Sequence, residues 1–173
     1  MKFISTIFIF LFLLSCSTTY KNKNPSGEKL PSFSGESLSG QKFVFPKDLG
    51  KNMTLMLFGY KQETQFDIDR WLIGLDMKNV DITVIEVPTI QGFIPRLLKD
   101  KIDSGMRRGI PSELWSSVIT VYNDGETIQK FTGNENPNNA RVLLIKEAKV
   151  KFFYDRGFSV SALNELILEI NSK

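Results

Sequence analysis

Residues 53–72, MTLMLFGYKQETQFDIDRWL, constrain this chain more than any other stretch. Met53–Gly59 is an apolar run of strand length that ends in a glycine. A short polar turn, Tyr60-Lys61-Gln62-Glu63-Thr64-Gln65, follows it. Ile68, Trp71, Leu72 and Leu75 then recur at i, i+3, i+4 and i+7, which places them on one stripe of a helix. Thr64 is positioned to cap that helix, and Asp67 falls in its first turn, where a carboxylate suits the helix dipole. Trp71 lies on the apolar stripe and is expected in the core. The stretch thus reads as a buried strand running through a tight turn into an amphipathic helix.

The remaining segments alternate in the same way. Ahead of it, Lys42–Phe45 reads as a short strand between Gly40 and Pro46. After it, Asp81–Val87 (DITVIEV) is apolar on both faces apart from Glu86, as a central strand would be, and Pro88 ends it. Phe93–Met106 predicts a helix with Ile94, Leu97, Leu98 and Ile102 on one side and Pro95 in its first turn. GMRRGIP (105–111) is expected to break that helix at its two glycines and turn at Pro111. Val118–Tyr122 is a strand, Glu126–Phe131 a single helical turn, and Arg141–Ile145 with Val150–Tyr154 a β-hairpin joined by KEAK. Ser159 can cap a last helix with the stripe Leu163, Leu166, Ile167 and Ile170. Strands alternating with helices predict an α/β sheet covered on both faces. The same elements also fit other mixed α/β sandwiches.

The totals limit the chemistry. The chain has 173 residues, of which 42% are apolar and 24% charged, enough for one domain with a real core. A net charge of +3 is too small to argue for nucleic acid. There is no histidine, which removes Ser-His-Asp and Cys-His catalysis and HExxH zinc chemistry. The one cysteine, Cys16, makes no intrachain disulfide, no dithiol centre and no Cys-rich metal site. No cofactor or metal is expected.

That cysteine stands where a lipid anchor would be made. Lys2 is followed by FISTIFIFLFLLS, far short of the roughly 20 residues that span a bilayer. The run ends Leu13-Leu14-Ser15-Cys16, which resembles a bacterial lipoprotein signal whose cysteine is lipidated and becomes the mature N-terminus. A plain secretory signal with an incidental cysteine, or an uncleaved anchor, are the other readings. Residues 1–15 are thus expected to be a signal peptide and Cys16 the lipidation site, several acyl chains giving stable anchoring. Ser17 after the cysteine favours, by the same resemblance, the outer membrane facing the periplasm in a Gram-negative host. Residues 16–30, polar and without periodicity, are expected to be a flexible tether, and 31–173 the domain.

Two segments carry a resemblance to the thioredoxin superfamily. One is LPSFSG (30–35) with LGKNMTLMLFGY (49–60), similar to the leading part of the peroxiredoxin and TlpA-like branches. The other is VLLIKEAKVKFFYDRGFSVSALNELI (142–167), which resembles the closing hairpin and helix of thioredoxins. The middle, from EVPTIQGFIPRLL through GMRRGIP to ITVYND, is similar to thioredoxin-like bacterial proteins without active cysteines, which resemble the mitochondrial ATP synthase assembly factor family. The resemblance implies a thioredoxin-like three-layer α/β/α sandwich with a mixed central sheet. It also locates a gap. The active cysteines of that family would fall at Gln62–Gln65, and its cis-proline at about Ala140, with the nearest proline at Pro137. Thiol-disulfide and peroxidase chemistry are therefore not expected.

Strand ends and helix N-termini of such a sheet are where sites form. Tyr60, Lys61, Glu63, Gln65 and Glu86 are candidates for that edge, with Arg107 and Arg108 facing them. Glu63 and Glu86 are one conceivable carboxylate pair, though exposed turn residues and a satisfied strand-end Glu explain them as well. The basic run Arg96, Lys99, Lys101, Arg107 and Arg108 is either a solvated face or a docking surface for an acidic partner or lipid headgroups. Two functions follow from these residues. The first is a non-enzymatic, membrane-anchored interaction or assembly module with an envelope protein partner. The second is an enzyme or small-ligand binder with a site rebuilt at the turn.

Overall fold

The computed structural model describes residues 18–172. Residues 1–15, expected to be a signal peptide, and Cys16 lie outside the described residues. In chain order the elements are β1 (Phe33–Ser37), β2 (Lys42–Phe45), β3 (Thr54–Gly59), α1 (Gln65–Met77), β4 (Thr83–Pro88), α2 (Phe93–Leu97), α3 (Lys99–Gly109), β5 (Ile119–Thr120), α4 (Gly125–Thr132), β6 (Arg141–Lys146), β7 (Lys149–Tyr154) and α5 (Val160–Asn171). The central sheet runs β4-β3-β6-β7, with β3 and β4 parallel and the other two pairs antiparallel. A smaller antiparallel sheet, β2-β1-β5, lies beside it, joined by parallel bridges from Val118 to Glu86 and from Val121 to Thr89. The architecture is the mixed α/β sandwich that the sequence predicts.

Side-chain alternation along β3 explains the layers. Leu55 and Leu57 pack with Trp71 and Leu75 of α1 and Leu163 and Leu166 of α5. Met56 and Phe58 point the other way, against Phe33, Phe45 and Ile128. β6 divides likewise, Val142 and Leu144 on the first face and Leu143 and Ile145 on the second. Trp71 is fully buried, edge-on to Tyr154 and Phe158 with ring centroids 5.8 and 5.3 Å away. Gly74 lets α1 and α5 touch, since a Cβ there would sit 2.8 Å from a Leu163 methyl. Ser159 caps α5 as expected, its Oγ accepting the Ala162 N–H at 3.1 Å.

Several local expectations are corrected. The helix expected over 93–106 is two helices, because Leu98 N–H turns back to Pro95 O, three residues away, and tightens the chain there. Gly105 does not break the second, which runs on to Gly109. Residues 125–132 form a longer helix than one turn. Thr64 ends a short 3-10 turn (Gln62–Thr64), and its hydroxyl accepts from Lys61 N–H and donates to Pro137 O instead of capping α1. Asp81–Val87, read as a central strand, is the outer strand of the four, with only bridges on its far side.

The largest departure concerns residues 18–30. Gly27 and Leu30 donate to Val150 O and Ala148 O, and Val150 N–H returns to Glu28 O, so this piece pairs along the edge of β7. Leu30 is buried in the core and Pro25 is buried as well. A tether free up to Leu30 is therefore not what the structure shows. The segment is a strap laid on the domain.

Candidate functional site

β3 delivers Tyr60 to the turn at the end of the strand. Its ring leans towards α4, and its hydroxyl shares a 2.6 Å hydrogen bond with Thr132 Oγ1. Burial pushes the phenol up to about 12, although the Thr132 bond and nearby Arg141 both pull it down. Arg141 opens β6, paired across the sheet with Phe58. Its guanidinium lies 5.0 Å from the Tyr60 ring centroid. Nη1 donates to Asn136 O at 2.6 Å and Asn139 O at 2.8 Å, and Nη2 to Asn22 Oδ1 at 3.2 Å. Arg141 is fully buried, and among the described residues its Nε has no partner. Burial lowers its pKa, opposed by the charges of Tyr60 and Asp155. Guanidinium nonetheless stays protonated in proteins.

The floor of this region is held by Asp67. Its Oδ2 accepts the Ala140 N–H at 2.8 Å and its Oδ1 the Phe158 N–H at 2.6 Å. One carboxylate on α1 thereby fixes the start of β6 and the approach to α5. Ala140, at the place where the resemblance implies a cis-proline, is buried.

The other candidates go to separate neighbours. Gln65 Nε2 bridges Asp69 Oδ1 at 2.8 Å and Glu86 Oε2 at 3.3 Å. Glu86 is half-buried, and burial raises its carboxyl above the usual range; the Gln65 bond lowers it and Asp69 raises it further. Its neighbours are thus an amide and Asp69. Glu63 is exposed and shares no hydrogen bond with it. Lys61 is exposed, its backbone tied to Thr64. Arg107 faces elsewhere: Nε donates to Leu38 O at 2.7 Å and the guanidinium lies 5.9 Å from the Trp115 ring centroid. Arg108 is exposed. The structure brings together Gln65 and Glu86; Tyr60 bonds to Thr132 and Arg107 to Leu38 O, and Lys61, Glu63 and Arg108 are exposed. The basic run is partly spent on structure too, since Lys99 pairs with Glu36 at 2.7 Å. Among the described residues no group of three or more acidic, histidine or cysteine side chains is placed to hold a metal ion.

Sequence reasoning missed Arg141, Thr132 and Asn22. The one available signal was a charged residue opening the otherwise apolar run RVLLI. Shallow depressions mark the surface of the described residues. One of about 260 Å³ is lined by Asn22, Lys23, Asn24 and Phe153–Arg156. Another lies at Asn52, Met53, 81–83 and Ile170, and neither includes residues 60–65.

No protein-family model matches the chain, and no curated protein matches it. Solved structures do. BsSco, a member of the Sco family of cytochrome c oxidase assembly proteins, superposes with a TM-score of 0.60 at 13% identity, over 88% of this chain and 96% of its own. A SCO1/SenC family lipoprotein from Bacillus anthracis gives 0.56 at 16% identity, over 87% and 97%. The thioredoxin domain of a thiol-disulfide oxidoreductase from Bacteroides vulgatus gives 0.54 at 17% identity, over 86% and 100%. At these identities the likeness shows the fold alone, which is thioredoxin-like.

Proposed function

We propose that the chain is a redox-inactive, thioredoxin-like lipoprotein of the cell envelope that works as a protein-interaction or assembly module. The observation that carries this reading is the turn Tyr60–Gln65. Where dithiol enzymes of this fold need thiols at a helix N-terminus, this chain has none, its one cysteine being Cys16. The turn is closed by Tyr60 on Thr132 and by Thr64 on Pro137 O, contacts that hold structure, and it carries no thiol. The reading is supported by the company of the fold. Its neighbours include a family named for cytochrome c oxidase assembly and a SCO1/SenC lipoprotein. A lipid on Cys16 would hold the domain at the membrane, in a Gram-negative host at the outer membrane facing the periplasm.

Two measurements test it. The purified full chain is expected to reduce neither a disulfide substrate nor peroxide above buffer rates; turnover would end the redox-inactive reading. A photo-crosslinking residue at exposed Lys61 or Glu63, in the living host, is expected to give a discrete adduct that is lost in Cys16→Ala. Absence of any adduct at both positions would count against an interaction module working through this turn.

A further inference from the structure

The strap ahead of the domain makes a second kind of contact. Residues 20–23 lie alongside 132–135. Tyr20 N–H donates to Asn134 Oδ1 at 2.6 Å, and Asn134 N–H returns to Tyr20 O at 2.9 Å. Asn22 N–H donates to Glu135 Oε2 at 2.7 Å, Glu135 N–H returns to Asn22 Oδ1 at 3.0 Å, and Lys23 N–H reaches Thr132 O at 3.2 Å. Gly133 permits this approach, because a Cβ there would strike the Asn22 backbone. Asn22 Oδ1 also takes the bond from Arg141 Nη2. An extended peptide is therefore already seated in a groove, with the Asn22 side chain meeting a buried cation.

Two features set this groove apart from ordinary internal packing. Arg141 is fully buried, yet among the described residues its hydrogen-bond acceptors are two backbone carbonyls and one amide oxygen. Among the described residues its Nε is orphaned and no carboxylate is in ion-pair contact with it. A buried charge is costly unless paired, and the planar fork of guanidinium matches a carboxylate best. Moreover, this part of the strap contributes little apolar burial: Lys21, Lys23 and Asn24 are exposed, and its first buried residue is Pro25. It is held by polar bonds that another extended chain could reproduce.

We propose that the groove formed by residues 132–135 and Arg141 is a binding site for an extended segment of a partner protein that carries Asp where the strap carries Asn22, and that the strap is its displaceable occupant. An Asp at that position would give Arg141 the carboxylate it lacks. Glu135 and Asp155 are the acidic groups near this position and oppose the gain; direct contact with Arg141 outweighs them. The biological use of the groove rests on the interaction-module reading, but peptide binding stands by itself.

The experiment uses the full chain with a specific protease site inserted at exposed Ser26, so that cutting frees the strap while residues 27–173 keep their sequence. Fluorescent peptides of residues 18–25 (TTYKNKNP), in native, Asn22→Asp and Asn22→Ala forms, are titrated by anisotropy. The cut chain is expected to bind them saturably and the uncut chain not. The Asp form is expected to bind about tenfold tighter than the native peptide, and the Ala form about tenfold weaker. The proposal is overturned by no binding to the cut chain, by equal binding to cut and uncut chains, by an Asp peptide no tighter than Asn, or by an Ala peptide as tight as Asn. Such a failure leaves the broader reading in place, because the cross-links at Lys61 and Glu63 test positions outside this groove.

Discussion

Replacing Asp67 with alanine removes one side chain that ties three parts of the fold together. Asp67 is 7% exposed and holds two backbone N–H groups, of Ala140 and Phe158, at 2.8 and 2.6 Å. Hydrogen bonds to a charged group contribute about 1.5–3 kcal/mol each, and an abandoned buried donor costs a further desolvation penalty. The two donors are not equivalent. Ala140 is buried and finds no substitute, whereas Phe158 is half-buried and regains water. The expected loss is therefore about 3–4 kcal/mol for Asp67→Ala. Asp67→Asn keeps one acceptor oxygen but turns its NH2 toward the second donor, and about 2 kcal/mol is expected. Urea unfolding followed by tryptophan fluorescence is the assay, since Trp71 is fully buried and reports the core. With a slope of about 1–3 kcal/mol per molar urea, the alanine variant should shift the midpoint by about 1 M or more. A loss under about 1 kcal/mol would refute the claim that this carboxylate is the link between α1, β6 and α5.

Trp71→Ala should cost about 3–5 kcal/mol in urea unfolding followed by far-UV circular dichroism, because the side chain is fully enclosed and the substitution removes the fluorescent reporter. The turn between β6 and β7 has positive φ at Glu147 (52°) and Ala148 (61°), so Ala148→Gly should stabilise by about 1 kcal/mol. Burial raises the Tyr60 phenol to about 12 from 10.0, so its contribution is complete below pH 10 and lost as pH rises from there towards 12. Tyr60→Phe should accordingly flatten part of the alkaline fall in the unfolding midpoint, and an unchanged profile would argue against the buried phenol. Cys16→Ala should release the protein from membranes and block lipoprotein processing; full membrane retention would remove the anchor from the proposal.

Much of the core was legible because its signals are local. The apolar run of β3, the stripe Ile68, Trp71 and Leu75, and the Ser159 cap each depend on residues within one or two turns of one another. β1 was not legible, since FSGES has no alternation and becomes a strand by pairing with β2 and β5. The candidate site was legible only in part. Tyr60 and the Gln65–Glu86 contact lie where a strand end meets a helix start, which the sequence locates. Arg141, Thr132 and Asn22 meet across large sequence separations, and nothing local distinguishes them.

By itself, the sequence determined the main alternation of strands and helices, though not β1 or the split between α2 and α3, together with the absence of histidine and of any thiol beyond Cys16, and hence which histidine- and thiol-dependent chemistries are closed to this chain. Only the tertiary structure decided where the polar segment before Leu30 lies and which charge is buried without a counterion. The reason is physical. A polar strap has no periodic pattern to read, because backbone donors and acceptors are alike at every residue. Where they find partners is set by the groove the rest of the chain has built, here the edge of residues 132–135 with Arg141 beneath Asn22.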